Sequence, residues 1–121
     1  MQRYDYLKAI ASHAEDALAV CTGWAAREWC ALRPGEGNLK TRTLGLVSSI
    51  AAGLAIALPH RKVIAIDGDG AFLMNLCGLP TIALQSPGNL IHLLFDNEIY
   101  EASGGTATAS HNSDAVTLAK G

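Results

Sequence analysis

Lys62-Val63-Ile64-Ala65-Ile66-Asp67-Gly68-Asp69-Gly70 is the stretch that decides the fold. Lys62 to Ile66 reads as a strand. Its unbroken apolar run, rather than an alternating one, is the pattern of a strand buried on both faces of a parallel sheet. The run ends abruptly in a polar, glycine-flanked cluster. A second run of the same kind, Leu90 to Phe95 (LIHLLF), ends in Asp96-Asn97-Glu98. Between the two lies a helical stretch, Leu73 to Gln85, stopped by Ser86-Pro87-Gly88. Upstream, Leu46 to Leu58 is rich in Ala, Ser, Gly, Ile and Leu and predicts a closely packed buried helix ended by Pro59.

Further outward the order continues. Tyr4, Leu7 and Ile10 stand at helical spacing and place a helix over Tyr4 to His13. Asp16 to Thr22 reads as a short buried strand, and Ala25 to Leu32 as a helix running into the turn-rich Pro34-Gly35-Glu36-Gly37-Asn38. Ser103 to Ser113 reads as a loop of small and polar residues, and Asp114 to Lys120 as the start of another helix. Strands alternating with helices predict an α/β fold, an open parallel sheet flanked by helices, as one domain over residues 1–121. The pattern stops on a helix where a further strand is expected, so the reading includes a domain that is C-terminally incomplete.

Composition narrows the function classes. Half of the 121 residues are hydrophobic and 17% are charged, which favours a folded chain. The formal net charge of −2, with no basic run, gives no reason to expect nucleic acid or an anionic membrane as partner. No apolar run is long enough to span a bilayer. Cys21, Cys30 and Cys77 are odd in number and lack metal-ligand spacing, which suits reduced thiols in a cytoplasmic protein. The charged, amphipathic N-terminus does not read as a signal peptide.

The chemistry sits after the two strands. In open parallel sheets, ligands bind outside the carboxyl ends of the strands, so the two polar clusters are expected side by side. Asp69 offers a carboxylate and Asn97 an amide oxygen, both hard ligands suited to Mg²⁺. Gly68 and Gly70 remove side chains and let an anion approach the backbone, while a helix starting near Ala71 would present free N–H groups to a phosphate. Magnesium commonly bridges one or two protein ligands to substrate phosphates, so the residues point to a magnesium-diphosphate site. Each cluster taken singly also fits an ordinary tight turn.

Gly68-Asp69-Gly70, then residues 71 to 95, then Asp96-Asn97 resembles the signature of thiamine diphosphate enzymes. Asp96 stands where the family has the first Asn of a pair. The wider stretch from Leu44 to Gly105 is similar to the β subunit of sulfopyruvate decarboxylase and to phosphonopyruvate decarboxylases. It carries LMNL-x-x-L-x-TIA, P-x-NL and DN-x-x-YE-x-x-GG. Leu44-Gly45 stands where relatives often have Met-Gly, and Tyr100-Glu101-Ala102-Ser103-Gly104-Gly105 where YESTGG is common.

The resemblance implies the diphosphate-binding domain of the thiamine diphosphate-binding fold, with thiamine diphosphate and Mg²⁺ as cofactors. It implies cofactor contacts from Arg42, Leu44, Gly68, Asp69, Gly70, Ala71, Asn97, Ile99 and Tyr100. The metal ligands would be Asp69, Asn97 and the backbone carbonyl of Ile99. Leu44 would prop the bent cofactor, and the carbonyl of Arg42 would meet its amino group. The implied reaction is decarboxylation of a small 2-oxo acid such as sulfopyruvate or phosphonopyruvate. No catalytic residue is identified in this chain. The glutamate that serves the pyrimidine ring is expected from a separate pyrimidine-binding α subunit, in a hetero- or homo-oligomer. The alternatives are a carboligase of the acetolactate synthase kind and a non-catalytic cofactor-binding module.

Seven other positions carry a reading of their own. His92 reads as a satisfied core histidine and His111 as a surface one. Glu98 and Glu101 read as loop carboxylates beside Tyr100, either of which could line a pocket. Ser48 and Ser49 read as allowing close helix packing, and Trp24 as core.

Overall fold

The computed structural model describes residues 2–121. Its centre is a parallel four-stranded sheet in the order β2-β1-β3-β4. The strands are β1 (Leu18–Cys21), β2 (Asn38–Lys40), β3 (Val63–Gly68) and β4 (Leu90–Phe95). The helices are α1 (Arg3–Ala11), α2 (Gly23–Leu32), α3 (Val47–Ala57), α4 (Asp69–Leu73), α5 (Leu79–Gln85) and α6 (Ala115–Lys120). A two-stranded antiparallel ribbon, β5 (Ile99–Tyr100) with β6 (Thr106–Ala107), follows the sheet.

The unbroken apolar run of β3 has a direct physical cause. Successive side chains point to opposite faces, and both faces are covered. Ile64 and Ile66 pack with Leu7 of α1 and with Ala25, Ala26 and Trp29 of α2. Val63 and Ala65 pack on the other face against Val47, Ala51 and Ala55 of α3. Burying a side chain of the size of Ile64 contributes roughly 1.5–3 kcal/mol, so this central strand anchors both layers. Alanines on α3 let the helix lie close to the sheet. Asn89 then secures its end, its amide donating to the carbonyls of Ala55, Leu58 and Arg61.

Four features depart from the sequence reading. β2 was hidden in the turn-rich stretch; it is only three residues long, and parallel pairing with Ala19 to Cys21 defines it. The expected helix over Leu73 to Gln85 is broken into α4, a 3-10 turn at Leu76–Gly78 and α5. The break lies at Asn75, whose side chain turns away to donate to the carbonyl of Gly45 at 2.7 Å. The sequence places a helix start near Ala71, but the helix begins at Asp69. Finally, β4 is not a fully buried strand. It is the edge of the sheet and is only partly covered, with Ile91 exposed.

The strand order sets the position of a site. From β1 the chain crosses outward to β2, and from β3 it crosses outward the other way to β4. Connections diverge between β1 and β3, and a crevice opens there at the carboxyl ends of the strands.

Candidate functional site

That crevice is a cleft lined by the residues that leave β1 (Thr22 to Ala25), those that leave β3 (Asp67 to Ala71), and those after β4 (Asn97 and Ile99 to Ser103). Leu44, Phe95 and Arg3 complete the lining. Of the residues expected to contact a cofactor, all line this one cleft except Arg42, which is exposed and outside it. Thr22 is fixed beneath by a hydrogen bond from its hydroxyl to the carbonyl of Thr41.

Leu44 reaches the cleft because of the turn that follows it. Gly45 has φ +88, a conformation that L side chains rarely adopt, and an added Cβ would lie 3.2 Å from that of Met74. Asn75 grips the Gly45 carbonyl and also donates to Ser49. The LMNL motif thus shapes the Leu44 turn from behind. Leu44 stays 39% exposed, an apolar side chain on the cleft wall. Ser48 is buried on α3; Ser49 is exposed, and its hydroxyl lies 3.1 Å from where a Cβ at Gly78 would stand.

Asp69 is the most telling side chain. It is 3% exposed, yet among the described residues the one donor to its carboxylate is the hydroxyl of Thr108, on Oδ2. A buried carboxylate is costly unless it is paired or coordinates a metal. No cation of the described residues pairs with it, so the donor set fits a hard cation arriving with a ligand. Among the described residues no group of three or more His, Cys, Asp or Glu gathers, which excludes a closed site of that kind. A set of one carboxylate, one amide and one carbonyl is compatible with that observation.

Gly70 serves a different purpose from the one expected. A Cβ there would fall 2.4 Å from Cε1 of Tyr100 and 3.1 Å from Cγ2 of Thr108. The missing side chain makes room for the Tyr100 ring, whereas only Gly68 leaves open space. α4 is a single short turn, so the helix-dipole contribution expected for a phosphate is small.

The pair Asp96-Asn97 divides its labour. Asp96 turns away from the cleft: Oδ2 accepts from the Ser110 hydroxyl and Oδ1 from the Glu98 N–H at 3.2 Å. Asn97 lines the cleft, and its Oδ1 accepts only the Ile99 N–H, at 3.2 Å. Glu98, which follows the pair, is left-handed, φ +61, a strained conformation for this residue. These bonds separate two expected effects. Asn97→Ala lowers affinity for magnesium thiamine diphosphate with little change in melting temperature. Asp96→Ala lowers the melting temperature, at a cost of about 1–2 kcal/mol for two lost bonds, and Asp96→Asn is milder. Calorimetry beside thermal unfolding checks this; a larger affinity loss in Asp96→Ala than in Asn97→Ala would shift the ligand by one position.

Several functional neighbours escaped the sequence reading. Thr108 and Ser110 lay in the presumed loop of small residues; the β5–β6 ribbon folds them back onto Asp69 and Asp96, and no local signal marks them. Arg3 forks onto Glu28 with bonds of 2.8 and 2.9 Å and reaches Glu101 at 2.8 Å. Its pKa is raised, chiefly by the bond to Glu28, with burial opposing and Glu101 adding. Glu101 therefore lines the cleft as half of an ion pair. Trp24 is not core: it is exposed at the cleft, with the Arg27 guanidinium 4.6 Å from its ring. Trp29 takes the core position.

Nor is His92 a satisfied histidine. Its buried Nε2 lacks a hydrogen bond, although Asp67 Oδ2 lies 3.5 Å away and its ring stands against Phe72. His111 is at the surface, 3.3 Å from Glu98. Burial pushes the Cys21 thiol up to about 12, so it offers no thiolate.

A parallel α/β domain with a Gly-flanked acid and an Asn converging at its switch point belongs to the nucleotide- and diphosphate-cofactor class of architectures. The chain is a member of a specific family: residues 19–120 match the thiamine pyrophosphate enzyme, C-terminal TPP binding domain. It is 40% identical over 110 residues to sulfopyruvate decarboxylase subunit beta of Methanothermobacter thermautotrophicus, covering 89% of this chain and 59% of that one. It is 35% identical over 104 residues to phosphonopyruvate decarboxylase of Streptomyces hygroscopicus, covering 85% of this chain and 26% of that enzyme. Over 108 residues it is 30% identical to the acetolactate synthase isozyme 1 large subunit of Escherichia coli, covering 81% and 19%. The chain thus spans about three fifths of the length of the first of these relatives.

Proposed function

We propose that this chain is the diphosphate-binding part of a thiamine diphosphate-dependent 2-oxo acid decarboxylase. It would act on sulfopyruvate or phosphonopyruvate together with a separate pyrimidine-binding subunit. The observation that carries the reading is the buried, almost unpartnered Asp69 on the cleft shared with Asn97, Ile99 and Leu44. Asp69, the Asn97 amide oxygen and the Ile99 carbonyl would hold Mg²⁺ against the diphosphate. Gly68 admits the diphosphate to the backbone, and Leu44 and Tyr100 supply apolar walls for the rings. Thiamine diphosphate supplies a thiazolium carbon that adds to the keto group and accepts the electron pair released with carbon dioxide. This chain's residues bind and orient it.

The charge inventory of the cleft supports a second chain. Arg3 is the one cation among the described lining residues, and Glu28 and Glu101 already occupy it. Recognition of an anionic substrate tail therefore falls to groups outside the described residues, and we assign them, with the glutamate for the pyrimidine ring, to the partner subunit. The relatives named as beta subunits favour the same arrangement. No helix among the described residues is long and apolar enough to cross a membrane.

The experiment is to measure carbon dioxide release from sulfopyruvate and phosphonopyruvate, with magnesium and cofactor, for the chain alone and with its candidate partner. Turnover is expected only in the mixture. Equal turnover by the chain alone would end the two-chain proposal. The acetolactate synthase likeness favours carboligation as the second reading; a carbon–carbon coupled product in place of the free aldehyde would select it.

A further inference from the structure

We propose that Thr108 is a positioning residue that restricts Asp69 to single-oxygen coordination and so makes the site prefer magnesium to calcium. This rests on the metal-diphosphate reading above. The residue is held from every side. Its backbone N–H donates to the Glu98 carbonyl at 2.9 Å. Its hydroxyl accepts the Ser110 N–H at 3.3 Å. Its methyl lies against the space at Gly70. Only 6% of it is exposed. With its rotamer fixed in this way, the single hydroxyl proton goes to Oδ2 of Asp69.

That bond occupies one lone pair of Oδ2 and leaves Oδ1, which takes no hydrogen bond among the described residues, as the freer oxygen. A carboxylate that binds through one oxygen suits Mg²⁺, which demands a compact octahedron and keeps several waters. Ca²⁺ accepts more ligands and readily takes both oxygens of a carboxylate. A partner that orients a ligating side chain typically governs metal affinity by 10–100-fold. Thr108 therefore acts through Asp69, without touching the metal itself. Ser110 strengthens the device by holding Asp96, on the neighbouring strand end, through its own hydroxyl. Both hydroxyls come from one short segment, so the clasp spans the ends of β3 and β4.

The test uses the full chain with thiamine diphosphate as the probe, its binding followed calorimetrically at increasing Mg²⁺ or Ca²⁺. In the unaltered chain, half-saturation needs less Mg²⁺ than Ca²⁺. Thr108→Val, nearly isosteric, is expected to raise the Mg²⁺ requirement roughly 10–100-fold with a smaller change for Ca²⁺. Thr108→Ser keeps the hydroxyl and the magnesium preference. Equal losses for both cations in Thr108→Val would make the effect a general structural one and overturn the proposal, as would an unchanged Mg²⁺ requirement. Should Thr108→Val not fold, Thr108→Ser decides: loss of the magnesium preference there overturns the role of the hydroxyl, and its retention supports it. If the unaltered chain binds the cofactor without any metal dependence, the metal site itself fails, an outcome distinct from the failure of Thr108 alone.

Discussion

Replacing Asp69 with alanine is expected to lower magnesium-dependent affinity for thiamine diphosphate by at least about 100-fold, or about 2.7 kcal/mol. Asp69 is the only charged group in the proposed ligand set; Asn97 and Ile99 offer neutral oxygens. Its buried position means that water does not screen the charge as it would at the surface. The substitution also takes the acceptor from the Thr108 hydroxyl, a loss of about 1 kcal/mol in stability. Asp69→Asn retains one oxygen, enough for one of the two roles, and loses the charge, so it should fall between. Calorimetry with and without magnesium, beside a thermal melt, separates binding from folding. An Asp69→Ala chain that melts near the original and binds the cofactor as before would remove this carboxylate from the site.

A second large effect is expected at Gly70. Gly70→Ala would ordinarily favour a helical residue by roughly 0.5–1 kcal/mol. Here the new methyl would meet the Tyr100 ring at 2.4 Å and the Thr108 methyl at 3.1 Å. Both belong to the clasp over the site, so overpacking of about 1–3 kcal/mol is expected, with a loss of cofactor affinity as Tyr100 leaves the cleft wall. The cause can be isolated with a double-mutant cycle. In a Tyr100→Ala background only the Thr108 methyl remains close, at 3.1 Å, and Gly70→Ala should then cost much less. If Gly70→Ala is equally damaging in both backgrounds, the ring is not the reason.

The contrast between the two central strands shows how far the sequence could be read. Val63 to Ile66 are all apolar because α1 and α2 cover one face and α3 the other, so the run identifies a central parallel strand. LIHLLF is just as apolar, yet it lies at the edge, because hydrophobicity does not report whether a neighbour is present. Asp69 and Asn97 were legible because their chemistry and spacing are local to strand ends. Thr108, Ser110 and Arg3 were not, because each acts across a long separation that only the folded chain closes. Trp24 and Trp29 could not be told apart by residue type; the orientation of α2 decided which one is buried.

The ion pair of Arg3 with Glu101 joins residues 98 positions apart. Such a contact adds to the mean sequence separation that slows folding, and it cannot form until nearly the whole chain is available. On the ribosome, α1 must therefore wait through the synthesis of all four strands of the central sheet before the cleft wall at Glu101 is tied down. The sheet can assemble without that tie, and the tie can open without unravelling the sheet. The cleft rim at Glu101 is therefore expected to open at lower cost than the central sheet, so that loosening there precedes loss of the core.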